Sequence, residues 1–187
     1  MPEKSKTKYI TDFYNGISSF YHLIYPNWYD SIAKQAEDLN YIIKNYWKGE
    51  ISTILDASCG IGTQALGLAQ IGYKVTGSDI SSEEIKRAKT EAKLRRLKIK
   101  FSIADMIELS KHHKQKYDLV ISCDNSLPHL LNDNDIMKAL KQFHNCTRAG
   151  GGVLISLRDY AKENLKGIQL KPYEIKKIGT TEYIILF

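Results

Sequence analysis

The spacing of apolar positions changes near residue 50. Before it, aromatic residues recur at helical intervals: Tyr9, Phe13, Tyr14, Phe20, Tyr21, Tyr25, Trp28, Tyr29, Tyr41, Tyr46 and Trp47 all fall between residues 9 and 47. Pro26 interrupts that pattern, which predicts two helical pieces. The second, from Asp30, carries Ile32, Ala33, Ala36, Leu39, Ile42 and Ile43 at helical spacing. After it, short apolar runs alternate with helical stretches. Ile51–Asp56, Tyr73–Asp79, Ile99–Ala104, Tyr117–Ser122 and Gly152–Leu157 read as strands, the last after a glycine turn at residues 150–152. Gln64–Ile71, Ser82–Leu97 and Asn134–Cys146 read as helices. Gly72 stops the first of these; Ser81 or Ser82 caps the second, with Glu83 and Glu84 in its first turn. The alternation predicts a parallel sheet with helices on both faces. Tyr173–Ile178 and Thr181–Phe187 read as two further strands, and the chain stops at Phe187 inside an apolar run. We take that ending as a truncation with the last strand or strands missing, in preference to an edge covered by a partner.

Composition narrows the class. The 187 residues suit one structural unit, divided into an aromatic helical cap or lid (1–48) and an α/β unit (49–187). A hydrophobic fraction of 43% with 10% aromatics implies an ordered core. No apolar run reaches the roughly 18 residues of a membrane span. The charged start, Met1 to Lys6, lacks the apolar stretch of a signal peptide. Cys59, Cys123 and Cys146 are widely spaced, which suits a reducing cytoplasm and offers no zinc-ligand spacing, so no metal is expected. The net charge is +6, much of it in Lys86, Arg87, Lys89, Lys93, Arg95, Arg96, Lys98 and Lys100. Without an aromatic RNA-binding motif beside it, this run reads as a solvated helix face and not as a nucleic-acid footprint. His112 and His113 read as an exposed turn.

The chemistry gathers at strand ends. Asp56-Ala57-Ser58-Cys59-Gly60-Ile61-Gly62-Thr63 follows the first strand. Glycines between a strand and a helix let the backbone approach a ligand, and the helix N-terminus favours electronegative groups. Gly60-x-Gly62-x-x-Ala65 satisfies the dinucleotide pattern, with Asp79 at the distance of a ribose ligand. Asp56, just before the glycines, would repel a pyrophosphate; it suits the cationic amino end of a methionine moiety. Each residue also has a structural reading: the glycines as a tight turn, Asp79 as a helix cap, Asp105-Met106 as a strand exit.

Taken in order, these motifs resemble the cofactor half of class I S-adenosylmethionine-dependent methyltransferases over about residues 50–160. The resemblance implies a Rossmann-like doubly wound fold and S-adenosylmethionine as cofactor. It implies that Asp79 and Ile80 lie at the ribose, Asp105 and Met106 at the adenine, and Asp56, Ser58, Gly60 and Gly62 at the methionine part. Ser58 stands where many members carry glycine, a small cost if its backbone is not left-handed.

A second phrase sharpens this. Cys123-Asp124-Asn125-Ser126-Leu127-Pro128-His129-Leu130 follows the fourth strand and Arg158-Asp159-Tyr160 the fifth. They resemble the Gly-Asn-Ser-x-x-His-Leu and Arg-Asn-Tyr phrases of the glycine/sarcosine N-methyltransferase branch. By that resemblance Asn125 touches substrate or the methionine group, Arg158 holds a substrate carboxylate, and Asp124, His129 and Cys123 line the same place. Trp28 and Tyr21, with Tyr25, are the aromatic candidates of the lid. Asp124 replaces the branch's glycine and Asp159 its asparagine, and no arginine occurs in the N-terminal region.

The reading is a cytoplasmic methyltransferase acting on a small molecule at nitrogen, an amine or glycine-like amino acid, as a monomer or homo-oligomer. Two others stay open: an RNA methyltransferase of the same fold, and a cofactor-binding subunit or fragment without activity alone.

Overall fold

In the computed structural model, residues 3–48, 50–162 and 172–186 are described. Helix α1 spans Glu3–Ile17, a 3-10 turn covers Tyr21–Ile24, and α2 runs Trp28–Trp47. Helix α2 starts two residues ahead of the expected Asp30. Asn27 caps it, its side chain accepting the N–H groups of Tyr29 and Asp30. This satisfies donors that a helix start leaves open. The helix buries Trp28, Ile32, Ala36, Leu39 and Ile43, one stripe at helical spacing, while Ala33 falls outside it and is exposed. That stripe lies close against helix α3, Thr63–Gln70. Gly67 permits the approach, because a Cβ there would sit 2.5 Å from the Ile32 carbonyl oxygen.

Five strands form one sheet: β1 Thr53–Asp56, β2 Lys74–Asp79, β3 Lys100–Ile103, β4 Tyr117–Ser122 and β5 Thr147–Ile155. Their order is β3-β2-β1-β4-β5, with every pairing parallel. Successive strand residues alternate between faces. Ile54, Leu119 and Ile121 join the core under α2, α3 and helix α4 (Ser82–Leu94). Leu55 and Val120 join the opposite core, with Leu109 of the short helix α5 (Leu109–His112) and Phe143 of α6 (Asp133–Cys146). The order in which successive strands are added reverses between β1 and β4. The connections leaving their C-terminal ends diverge there and open a crevice, where α/β sheets bind ligands.

The departures from expectation have local causes. Helix α4 stops at Leu94, short of Leu97, where Arg96 turns left-handed at φ 57°. Strand β5 starts at Thr147, ahead of Gly152, so residues 150–152 form an irregularity inside a strand and not a turn before it. Gly151 is needed there because a Cβ would sit 2.5 Å from the Asp118 carbonyl oxygen. The last two strands, β6 Pro172–Ile178 and β7 Thr181–Leu186, pair antiparallel in a sheet of their own; Phe187 lies outside the described residues. This hairpin touches the N-terminal region, with the Phe20 and Tyr183 rings 5.5 Å apart and Lys176 Nζ donating to the carbonyls of Tyr25 and Pro26. His113 is not an exposed turn residue; it is buried, with its ring 6.1 Å from that of Tyr117. Among the described residues no helix is long and apolar enough to cross a membrane, and no cluster of metal-ligating side chains occurs.

The basic run divides in two. Lys86, Lys89 and Lys93 are exposed on α4. Arg87 and Arg95 instead lie over the Trp28 ring, 5.4 and 5.5 Å from its centroid. Arg87 also donates to the Ser18 and Ser19 carbonyls. These two arginines pin the N-terminal segment to α4.

Candidate functional site

The turn after β1 is built around two left-handed glycines, Gly60 at φ 51° and Gly62 at φ 98°. Side chains avoid that region, and a Cβ on Gly62 would also press on Leu66 at 3.2 Å. Ser58 is not left-handed, so a serine is accommodated there; its hydroxyl pairs with that of Ser122 at 2.9 Å and ties the turn to the end of β4. Asp56 ends β1 fully buried. Its Oδ1 accepts the Ser58 N–H at 3.4 Å and its Oδ2 has no partner. Burial pushes its carboxyl up to about 8 against the pull of that N–H.

Asp79 ends β2. Its two oxygens accept the Gly60 and Ser81 N–H groups, both at 2.9 Å, which aims the carboxylate across the mouth of the glycine turn. Burial raises it, while those N–H groups work the other way. Asp105 follows β3 and accepts the Ile107 N–H at 3.1 Å, starting the 3-10 turn that carries Met106. Ser58, Gly60, Asp79, Ile80, Asp105 and Met106 therefore line one cleft at the C-terminal ends of β1, β2 and β3. The cleft holds about 810 Å3 of empty space, part of it open to solvent.

The phrase after β4 closes the other side. Asp124 and Asn125 are both left-handed, at φ 52° and 64°. Asp124 and His129 reach the cleft; Asn125 does not. Its Nδ2 donates to the Tyr160 hydroxyl at 2.6 Å and its Oδ1 accepts the Arg158 N–H at 3.1 Å. Asn125 thus joins the polar phrases after β4 and β5 to one another.

Five other expected site residues also stand away from the cleft wall. Gly62 is the cap position of α3, two residues after Gly60. Trp28 is 3% exposed in the core, its indole N–H donating to Thr63 Oγ1 at 2.8 Å, so it braces a cleft residue without reaching the cleft. Cys123 is buried in the same core, and burial pushes its thiol up to about 12. Arg158 is exposed beyond β5 and outside the cleft lining. Asp56 lies behind the wall with Oδ2 unpaired.

Several wall residues were not foreseen from sequence. Tyr14 on α1 joins Tyr21 and Tyr25 along the roof, with Tyr14–Tyr21 and Tyr21–Tyr25 centroids 5.9 and 6.5 Å apart. Burial raises all three phenols, Tyr14 to about 12, so they stay neutral. Glu84 is 2% exposed with Oε1 unpaired, and its Oε2 would lie 3.4 Å from a Cβ on Gly60. Burial, then the charge of Asp79, pushes it up to about 9. The spacing marked Glu84 only as a first-turn acid, because sequence alone does not say which face of α4 meets the glycine turn.

Comparisons with known proteins agree with this geometry. The family model described as "Methyltransferase domain" matches residues 54–151. The glycine/sarcosine N-methyltransferase of Halorhodospira halochloris is 29% identical over 132 residues, covering 71% of this chain and 48% of that protein. The ubiquinone biosynthesis O-methyltransferase of Hydrogenovibrio crunogenus is 28% identical over 114 residues, covering 61% of this chain and 46% of that protein. The chain spans about half the length of the curated relatives it matches. The crystal structure of Streptomyces venezuelae DesVI superposes with a TM-score of 0.73 at 19% identity, covering 86% of this chain and 64% of that one, a likeness of fold. Family match, relatives and strand order converge: the chain belongs to the class I S-adenosylmethionine-dependent methyltransferase domains.

Proposed function

We propose that the chain carries methyl transfer to a nitrogen atom of a small molecule, an amine or an amino acid. The observation that supports this most directly is the shared cleft, with acids at the ends of β2 and β3, a buried acid behind the glycine turn, and the polar phrase of β4 opposite. The glycine/sarcosine N-methyltransferase relative supports the choice of nitrogen.

The residues fit S-adenosylmethionine. Asp56 lies just behind the wall with its buried Oδ2 unpaired, and an ammonium group brought against that part of the wall would supply a partner and favour the ionised carboxylate. Gly60 leaves the turn without side-chain bulk. Asp79 would take the ribose hydroxyls, Asp105 the adenine amino group, and Met106 the face of the ring. When bound, the cofactor supplies a methyl group made electrophilic by its sulfonium.

The chain's own task is then to align and to keep dry. Tyr14, Tyr21 and Tyr25 roof the cleft and exclude water. His129 is held neutral by burial, with Nε2 2.7 Å from the Tyr14 hydroxyl, and stands ready to take the proton that a methylated amine releases. Calorimetry with S-adenosylmethionine and with NAD tests the reading. We expect binding of the first, and production of S-adenosylhomocysteine with small amines or amino acids. Binding of NAD alone would sink it.

A further inference from the structure

The protein is basic, at +6, yet its cleft is acidic. Among the described lining residues stand four carboxyl side chains, Asp79, Glu84, Asp105 and Asp124, and no lysine or arginine. Asp79 and Asp105 belong to the strand ends assigned to the cofactor, and Glu84 lies beneath the glycine turn. Asp124 is the acid on the opposite side, at the end of β4, and the cofactor reading gives it no task.

Its position is strongly held. Aspartate and asparagine are the side-chain-bearing residues that best tolerate a left-handed backbone, and the chain places one of each in succession here. The Asp124 N–H donates to Ser156 Oγ at 3.0 Å. Oδ2 accepts both the Tyr25 hydroxyl and Gln64 Nε2 at 2.7 Å. Gln64 is itself held by Gln35 at 2.6 Å. Those two bonds orient the carboxylate and leave Oδ1 without a hydrogen bond among the described residues. The tyrosine roof stands beside it, and neutral tyrosine rings and oxygens attract cations.

We propose that Asp124 selects an acceptor that is an amine lacking a carboxylate, bound as its ammonium by the carboxylate against the tyrosine roof; before transfer the ammonium passes one proton to His129 in the same lining, and the freed lone pair forms the new N–C bond as the methyl–sulfur bond breaks. This rests on the methyltransferase reading above. An amino acid would bring its carboxylate beside that of Asp124, with no lysine or arginine in the lining to meet it.

Matched pairs that differ by a carboxylate test this: methylamine against glycine, ethylamine against alanine, cyclohexylamine against 1-aminocyclohexanecarboxylic acid. Each is titrated calorimetrically into the full chain saturated with S-adenosylhomocysteine. We expect the amine of a pair to bind at least tenfold more tightly, and Asp124→Asn to remove most of that preference. Tyr25→Phe separates charge from packing, since it removes the bond to Asp124 and leaves the carboxylate; the amine preference should persist. Equal or tighter binding of the amino acids overturns the proposal, as does binding of no amine at all. It also falls if Tyr25→Phe erases the preference as fully as Asp124→Asn does, because the acid is then only a latch. Failure to bind S-adenosylhomocysteine removes the methyltransferase reading and the proposal with it, whereas cofactor binding with an amino-acid preference removes the proposal alone.

Discussion

Tyr14 of α1 and His129 of the turn after β4 meet edge to face, with Oη 2.7 Å from Nε2 and ring centroids 5.4 Å apart. Residues 115 positions apart thus close one end of the cleft. Tyr14→Phe keeps the ring and deletes the bond. A single neutral hydrogen bond is worth about 0.5–1.5 kcal/mol, so kcat/KM should fall roughly 2- to 10-fold with the fold intact. Steady-state kinetics beside circular dichroism checks this, and unchanged kinetics would free His129 from any dependence on the lid.

On the proposed reading Asp79 would hold the ribose of the cofactor, with backbone N–H groups fixing both its oxygens. Asp79→Asn keeps the side-chain size, removes the charge and turns an amide NH2 toward either the Gly60 or the Ser81 N–H. Loss of charged hydrogen bonds, at roughly 1.5–3 kcal/mol each, predicts S-adenosylhomocysteine binding weaker by about 10- to 100-fold. Calorimetry measures it, and an unchanged Kd would move the ribose site elsewhere.

Glu84 makes stability depend on pH. Burial raises its folded value from 4.5 to about 9, so the folded chain keeps a proton that the unfolded chain has lost. Stability then falls as pH rises between those values. Asp56, raised to about 8, acts in the same direction. Glu84→Gln should flatten the decline of Tm between pH 5 and pH 9 without abolishing it, because Asp56 remains. A decline as steep as the wild type's assigns the effect to other groups.

Asp118 is the polar tie between β1 and β4. Its Oδ2 accepts the N–H and hydroxyl groups of both Ser52 and Thr53, and its Oδ1 accepts Arg148 Nε. Burial works to raise its carboxyl, but Arg148 and the Ser52 and Thr53 donors outweigh it and hold it well below the usual range. Its contribution is therefore present above the unfolded value of 3.8 and lost as pH falls. Asp118→Ala should cost roughly 2–4 kcal/mol in urea unfolding at pH 7, from the stranded donors, and less at pH 3. An equal cost at both values would mean the carboxylate charge plays no part.

Much of the sheet was legible because burial writes itself into apolar runs. Leu119, Val120 and Ile121 face two cores, and only a central strand buries three successive residues. Helix ends were legible where capping chemistry is local, as at Ser81, which accepts the Glu84 N–H. Strand β5 was not, because its glycines mark a close approach to Asp118 and Trp47, which are distant in sequence. The site divides the same way. Asp79 and Asp105 occupy strand ends, and strand ends are visible as the limits of apolar runs. Trp28 and Arg158 lie outside the cleft lining, Trp28 because it packs in the core and Arg158 because it is exposed beyond β5.

By itself the sequence determined the parallel α/β order, the glycine turn, the strand-end acids and the family, because these follow from local periodicity, backbone permissiveness and motif spacing. Only the tertiary structure decided that Asp124 meets Tyr25 and Gln64, that Glu84 lies beneath Gly60, and that Asn125 holds the β5 exit instead of facing the cleft. Those outcomes depend on which face of each helix turns inward and on left-handed backbone at two successive residues. Such choices are made by packing between segments far apart in the chain, and no local pattern carries them.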